Sequence, residues 1–189
     1  MNNVSVIIPY FRCAKFFSKT LASVLNQTYK NFEIIIIFDD DDLNELKLLK
    51  KIILNKKKIK LIINKKNIGA GLSRNKGAAI AIGKYLAFID SDDLWKKQKL
   101  KTQISFMLKN KIDISHTKYS IIDEKNKILS YRPMKKKISY HDLLNSCDIG
   151  LSTVIIKKNL FLKYGFSSNK TKEDYSLWLK ISKKVDIYG

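Results

Sequence analysis

The sequence predicts an α/β fold, a mainly parallel sheet flanked by helices with a smaller α+β part behind it, on three observations. Short apolar runs recur at Val4–Ile8, Phe32–Phe38, Lys60–Ile63 and Tyr85–Ile89. Stretches of helical periodicity separate them, and strands alternating with helices imply parallel pairing through right-handed crossovers. At 189 residues, 45% hydrophobic and 11% aromatic, the chain can bury one sizeable core.

Val4–Ile8 is closed by Pro9, which cannot donate to a ladder and predicts a strand end. From Ala14 to Gln27, Phe17, Leu21, Val24 and Leu25 fall on one helical stripe. Phe32–Phe38 is the second strand, running into Asp39–Asp42 and a helix with Leu46, Leu49 and Ile53 on one side. Lys60–Ile63 is the third strand, and after Asn67, Ile68 and Gly69 a small-residue helix passes Ala78, Ala79 and Ile82. Tyr85–Ile89 reads as a strand buried on both faces, ending in Asp90, Ser91, Asp92 and Asp93. Leu100, Ile104, Met107 and Leu108 mark the next helix; Ile112–Ile122 with Ile128–Leu129 predicts a hairpin around Glu124–Asn126. Met134–Ile138 reads as a basic mobile linker, Tyr140–Leu144 as a short helix, Thr153–Ile156 as a strand, and Tyr175–Ser182 as a helix burying Leu177, Trp178 and Ile181.

Carboxylates at the C-terminal edge of a buried strand repel one another unless a cation or hydrogen-bond donors neutralise them. A divalent Mg²⁺ or Mn²⁺, which takes one or two protein carboxylates and leaves room for phosphate oxygens, suits such a turn. The alternative for Asp92 and Asp93, and for Asp39–Asp42, is capping of the helix that follows. Pro9-Tyr10, Asp39-Asp40 and Asp90-Ser91-Asp92 all sit at strand ends, where a nucleotide's base and phosphates can be held by neighbouring strands.

The balance of 37 Lys+Arg against 17 Asp+Glu gives a net charge of +20, and only Arg12, Arg74 and Arg132 are arginines. Such charge draws a protein towards acidic surfaces, most of all through Lys56–Lys58 and Lys135–Lys137; a compositional bias to Lys, Ile and Asn accounts for it as well. A nucleic-acid-binding module would show a basic stripe with interleaved aromatics, whereas these strand ends are acidic; no nucleic-acid partner is expected. Two cysteines, Cys13 and Cys147, with no CxxC and no His cluster suggest neither a disulfide framework nor a zinc site. With no charged-then-apolar leader and no apolar run of spanning length, a cytoplasmic protein is expected.

The segments VSVIIPYF (Val4–Phe11), SVLNQTYKNFEIIIIFDD (Ser23–Asp40), NIGAGLSRNKGA (Asn67–Ala78), FIDSDDLW (Phe88–Trp95) and EDYSLWLKI (Glu173–Ile181) together resemble the family 2 glycosyltransferases of GT-A fold. The resemblance implies one glycosyltransferase domain over residues 1–189, with a nucleotide-sugar-binding half at 1–95 and an acceptor-side half at 96–189. It implies that Asp40 accepts a hydrogen bond from a uracil-like base beside Pro9 and Tyr10, that Asn67 belongs to the nucleotide site, and that Arg74 lies near the diphosphate of a UDP-sugar. Asp92 would be the principal Mn²⁺ or Mg²⁺ ligand, with Asp90 at the ribose or the metal. Asp174 would be the general base of an inverting transfer to a glycan or lipid-linked saccharide. Ser152, Thr153, Glu173 and Trp178 would line the sugar and acceptor pocket. Where family members often carry Gly-Ser after the paired aspartates, Asp41 and Asp42 stand here and make the base pocket more acidic. Because the chain ends soon after the expected base, a weakly active or inactive remnant of such an enzyme is the alternative, and peripheral attachment at the inner membrane face is a further expectation.

Overall fold

A computed structural model describes residues 3–169 and 171–189. Four strands, β1 (Val4–Tyr10), β2 (Phe32–Phe38), β3 (Ile59–Ile63) and β4 (Tyr85–Phe88), alternate with helices α1 (Ala14–Leu25), α2 (Leu43–Ile53) and α3 (Ala70–Ile80). β1 is parallel to β2 and β4, and β2 is parallel to β3. This half closes with α4 (Lys99–Lys109). The rest of the chain adds β5 (Ile114–Ser115), the pair β6 (Tyr119–Ile122) and β7 (Ile128–Arg132), β8 (Lys137–Ile138) and α5 (Tyr140–Asn145). A 3-10 turn at Leu151–Thr153 then leads to β9 (Ile155–Lys157), α6 (Lys158–Tyr164), α7 (Glu173–Ser182) and β10 (Ile187–Tyr188).

One eight-stranded mixed sheet runs in the order β3-β2-β1-β4-β9-β5-β10-β8, and β6-β7 is a separate hairpin. β9 lies antiparallel between β4 and β5, so the second half of the chain extends the sheet of the first. The strands are apolar on both faces because both are covered. Val4, Val6, Ile8, Ile34, Ile36 and Phe38 pack with α1, α2 and α4; Ile7, Ile35, Ile37 and Leu86 pack with α3 and the helices of the second half.

β1 continues through Pro9 to Tyr10, two residues past the expected end. Tyr10 still accepts from the Asp39 N–H on the β2 side, whereas pairing with β4 stops at Ile7–Phe88. The N–H that Pro9 lacks would point to that side, where the ladder has already ended, so proline costs nothing there. Three expectations for the second half are corrected. Ile112–Ile122 does not form one arm of a hairpin: Ile114–Ser115 joins the main sheet, and only Tyr119–Ile122 pairs with β7. Met134–Ile138 is not wholly a mobile linker, because Ile138 is buried in β8 against Ile187 of β10. The expected strand Thr153–Ile156 begins as a 3-10 turn.

Candidate active site

The order β2-β1-β4 places a topological switch point at the C-terminal end of β1, where crossovers leave in opposite directions and a crevice opens. A cleft of about 380 Å³ lies there. Pro9, Tyr10 and Phe11 line it from β1, Asp39 from β2, Asn67, Gly69, Ala70 and Arg74 from the approach to α3, and Asp90, Ser91 and Asp92 from β4.

Asp39 organises one wall. Its carboxylate accepts from Asn64 Nδ2 at 2.7 Å, Ile68 N at 2.9 Å and Gly69 N at 2.8 Å. These bonds fasten the loop that opens α3, and Gly69 takes φ +87° there, a conformation side chains other than glycine's rarely tolerate. Sequence reasoning treated Asp39 and Asp40 as a pair and missed this division of labour. Asp40 is almost fully buried; its Oδ1 accepts from Asp41 N at 2.8 Å and Asp42 N at 3.2 Å. Burial alone would raise its pKa, but those bonds and the Arg12 guanidinium, 3.6 Å away, outweigh it and hold the carboxyl below its usual range. Its Oδ2 is buried without a hydrogen-bond partner among the described residues. Helix capping belongs instead to Asp42, which accepts from Asn44 N and Glu45 N.

Tyr10 has no exposed surface: its ring packs on Phe17 and Phe38, and its hydroxyl donates to Glu45 at 2.6 Å. Burial first, and the Glu45 bond second, push its phenol pKa upward. Tyr10 still lines the cleft, and the more exposed aromatic at this edge is Phe11, at 48%. Asn67 stabilises the same wall by donating to the Asp39 carbonyl at 2.8 Å.

The acidic turn is fixed from behind. Asp90 N donates to Ser152 Oγ at 3.0 Å, and the Ser91 carbonyl accepts from Thr20 Oγ1 at 3.0 Å and Cys13 Sγ at 3.4 Å. Trp95 donates through N to Ser23 Oγ and through Nε1 to the Ser152 carbonyl. α4 starts only at Lys99, with Gln98 as N-cap and no side-chain cap bond, so neither Asp92 nor Asp93 caps it. Asp92 is exposed in the cleft and has no ion pair among the described residues. Among the described residues no group of three or more His, Cys, Asp or Glu is arranged around a metal position. One free carboxylate at Asp92 with Asp90 beside it still fits Mg²⁺ or Mn²⁺, which commonly binds through one or two carboxylates and completes its shell with water and phosphate.

Arg74 joins the two halves. Its side chain is 4% exposed, donating through Nη2 to Asp90 at 2.6 Å and through Nη1 to Glu173 at 3.0 Å, with its guanidinium over the Phe166 ring. α3 and α7 come this close because Gly71 faces Glu173: a Cβ there would lie 2.9 Å from Glu173 Cγ. Arg74 thus reaches the cleft as a bridge between carboxylates. Asp174 stands next in α7, its carboxylate accepting from Tyr175 N at 2.7 Å. Burial is the main cause that raises its pKa, Glu173 adds to it, and the Tyr175 bond and Arg74 oppose it. Such a carboxylate is a better proton acceptor than an exposed one. Ser152 and Thr153 stand behind the acidic turn, Thr153 bonding to the Gly150 carbonyl at 2.6 Å. Trp178, expected at the acceptor pocket, is core: it has no exposed surface and packs edge-on to Phe166.

Comparison with known proteins agrees with this architecture. The Glycosyl transferase family 2 profile matches residues 5–167. The chain is 39% identical over 184 residues to UDP-Glc:alpha-D-GlcNAc-diphosphoundecaprenol beta-1,3-glucosyltransferase WfgD of Escherichia coli, covering 97% of this chain and 71% of that protein. It is 38% identical over 191 residues to the Escherichia coli enzyme WfaP, whose name gives the same activity, covering 97% of this chain and 72% of that one. Staphylococcus aureus TarS 1-349 in complex with UDP superposes with a TM-score of 0.78 at 24% identity, over 98% of this chain but only 57% of that chain. That likeness shows the GT-A fold. With a cleft at the switch point, a matching profile over most of its length and relatives near 40% identity, the chain belongs to glycosyl transferase family 2.

Proposed function

We propose that this glycosyltransferase moves a sugar from a UDP-sugar to a glycan or lipid-linked saccharide, with inversion and with a divalent metal. The observation that carries the reading is the switch-point cleft, where Asp92 stands exposed, without an ion pair among the described residues, in a lining that also takes Asp39 from the end of β2 and Asp90 from the end of β4. The buried Oδ2 of Asp40 lies 3.6 Å from Arg12 Nε and makes no hydrogen bond among the described residues, so it is suited to accept an N–H from the base. Phe11 offers the exposed ring beside it. Asp92, with Asp90, would hold Mn²⁺ or Mg²⁺, which when bound supplies positive charge to neutralise the departing diphosphate. Arg74 keeps Asp90 and Glu173 in place, and the Asp174 carboxylate takes the proton of the acceptor hydroxyl as that oxygen attacks the anomeric carbon.

WfgD and WfaP are named for a diphosphoundecaprenol acceptor and a UDP-Glc donor, which favours a lipid-linked acceptor and a uridine nucleotide here. No described helix is long and apolar enough to cross a membrane. A lipid-linked acceptor sets the reaction at a membrane surface, which a chain of net charge +20 can approach by peripheral attachment to anionic lipid.

The test is thermal stabilisation by nucleotide-sugars with and without Mn²⁺. A ligand at a hundred times its Kd adds about 2.7 kcal/mol, or roughly 5–10 °C of Tm for a chain of this size. UDP-sugars should give that shift with metal and little in chelator; Asp92→Asn should abolish the metal-dependent part while leaving the unliganded Tm unchanged. Equal stabilisation in chelator, or by nucleotides of every base, would overturn the assignment.

A further inference from the structure

The β6-β7 hairpin stands outside the eight-stranded sheet, and its faces differ. Tyr119 turns inward and covers Gly150, where a Cβ would lie 3.1 Å from the Tyr119 ring. Tyr119 pairs with Arg132, and Ser120 with Tyr131. Because side chains alternate along a strand, Tyr131 projects from the other face, and Leu129 stands at the irregularity where the register shifts between Ile121 and Ile122. They are 68% and 62% exposed.

Cations surround this apolar face. Lys118, Lys125, Lys127 and Lys136 are exposed and form no ion pair among the described residues. The acidic groups of the hairpin are already engaged: Asp123 accepts from Lys125 N and Lys127 N within the turn, and Glu124 pairs with Lys15 at 2.7 Å. The other dense lysine cluster is less free. Lys56 donates to the Ile52 carbonyl at the end of α2, and Lys58 donates to the Lys30 carbonyl and lies over the Phe32 ring. The hairpin is also placed at the catalytic end, since Glu124 ties its tip to the start of α1 and Tyr119 covers the turn that carries Ser152.

We propose that the outer face of the β6-β7 hairpin docks this protein on an anionic bilayer, with Leu129 and Tyr131 entering the interface and the surrounding cations meeting lipid headgroups. Exposed apolar side chains in a basic rim match such a surface, where aromatic rings favour headgroup depth and each lysine adds to binding. The inference rests on the reading of a lipid-linked acceptor, because docking at this end would bring the cleft to the plane where that acceptor's headgroup lies.

The experiment is co-sedimentation with phosphatidylcholine vesicles, with and without phosphatidylglycerol, at low and high salt. The intact chain should bind only the anionic vesicles and be released by salt. Leu129→Ser with Tyr131→Ser should weaken partitioning by about tenfold or more. Lys125→Gln, Lys127→Gln and Lys136→Gln should weaken it roughly fivefold each, whereas Lys56→Gln with Lys57→Gln should change it little. None of these residues lines the cleft, so metal-dependent UDP stabilisation should be unchanged in every variant and also reports that the fold is intact. Wild-type partitioning by the Leu129/Tyr131 variant overturns the proposal. So does concentration-dependent self-association that the same variant abolishes, or equal binding to a soluble anionic polysaccharide. Vesicle binding that survives alongside a failure of UDP to stabilise the protein would refute the donor assignment and leave the docking face standing.

Discussion

Replacing Arg74 by Met tests the bridge between the two halves of the site. Met keeps most of the apolar stem against Phe166 but removes both charge-assisted hydrogen bonds, each of which contributes about 1.5–3 kcal/mol when well buried. Glu173 is 16% exposed and left with a lone buried charge, so its bond counts near the upper end; Asp90 is 39% exposed, and solvent screens much of that one. The sum is about 3 kcal/mol, or roughly 6–12 °C of Tm for a chain of this length. Glu173→Gln in the Arg74→Met background should recover part of the loss by removing the unpaired charge, so the double-mutant cycle closes with a large coupling energy. Arg74→Lys should fall between, because an ammonium cannot present the two separated donors of a guanidinium. Denaturant unfolding in metal-free buffer measures the wild type, the three members of the cycle and Arg74→Lys. A loss below about 1 kcal/mol for Arg74→Met, or full additivity with Glu173→Gln, would refute the bridge.

Two other predictions separate chemistry from architecture. Asp174→Asn should lower transfer to acceptor by roughly a hundredfold or more while leaving metal-dependent nucleotide binding intact. Because burial raises the folded pKa of Asp174 above 3.8, its ionised form costs stability at neutral pH. The Asn variant should therefore be the more stable protein at pH 7, an advantage that shrinks as pH falls through the raised value and vanishes below the unfolded one. In wild type the acid limb of transfer should lie above the ordinary aspartate range. A fully active Asp174→Asn protein would exclude the base, and a destabilised one would exclude the burial-raised pKa. Tyr10→Phe should cost about 1 kcal/mol through the lost bond to Glu45 and leave donor KM unchanged, whereas Phe11→Ala should raise donor KM without touching Tm; the reverse pattern would give that role to Tyr10.

The alternating pattern of apolar runs and helical stripes determined the parallel half of the sheet, since strands and helices of that length announce themselves by local periodicity. The same reading placed Asp40, Asp90 and Asp92 at one sheet edge, because a carboxylate that ends a buried strand must lie where the sheet opens. The two-residue strands Lys137–Ile138 and Ile187–Tyr188 carry no periodic signal; they form where the chain brings them together, and Ile187–Tyr188 sits between Lys137–Ile138 and β5. Tyr10 and Phe11 are adjacent aromatics that composition cannot separate; the pleat and the position of Glu45 buried one and exposed the other. Trp178 looks as suited to a pocket as to a core until α7 is seen to turn it onto Phe166. Likewise the sequence marked Arg74 and Glu173 separately, but their ion pair spans 99 residues and depends on the missing side chain of Gly71. Local pattern reports which residues reach a sheet edge; which of them are free for a ligand is decided by long-range partners that satisfy or strand their charges, and those exist only once the chain has packed.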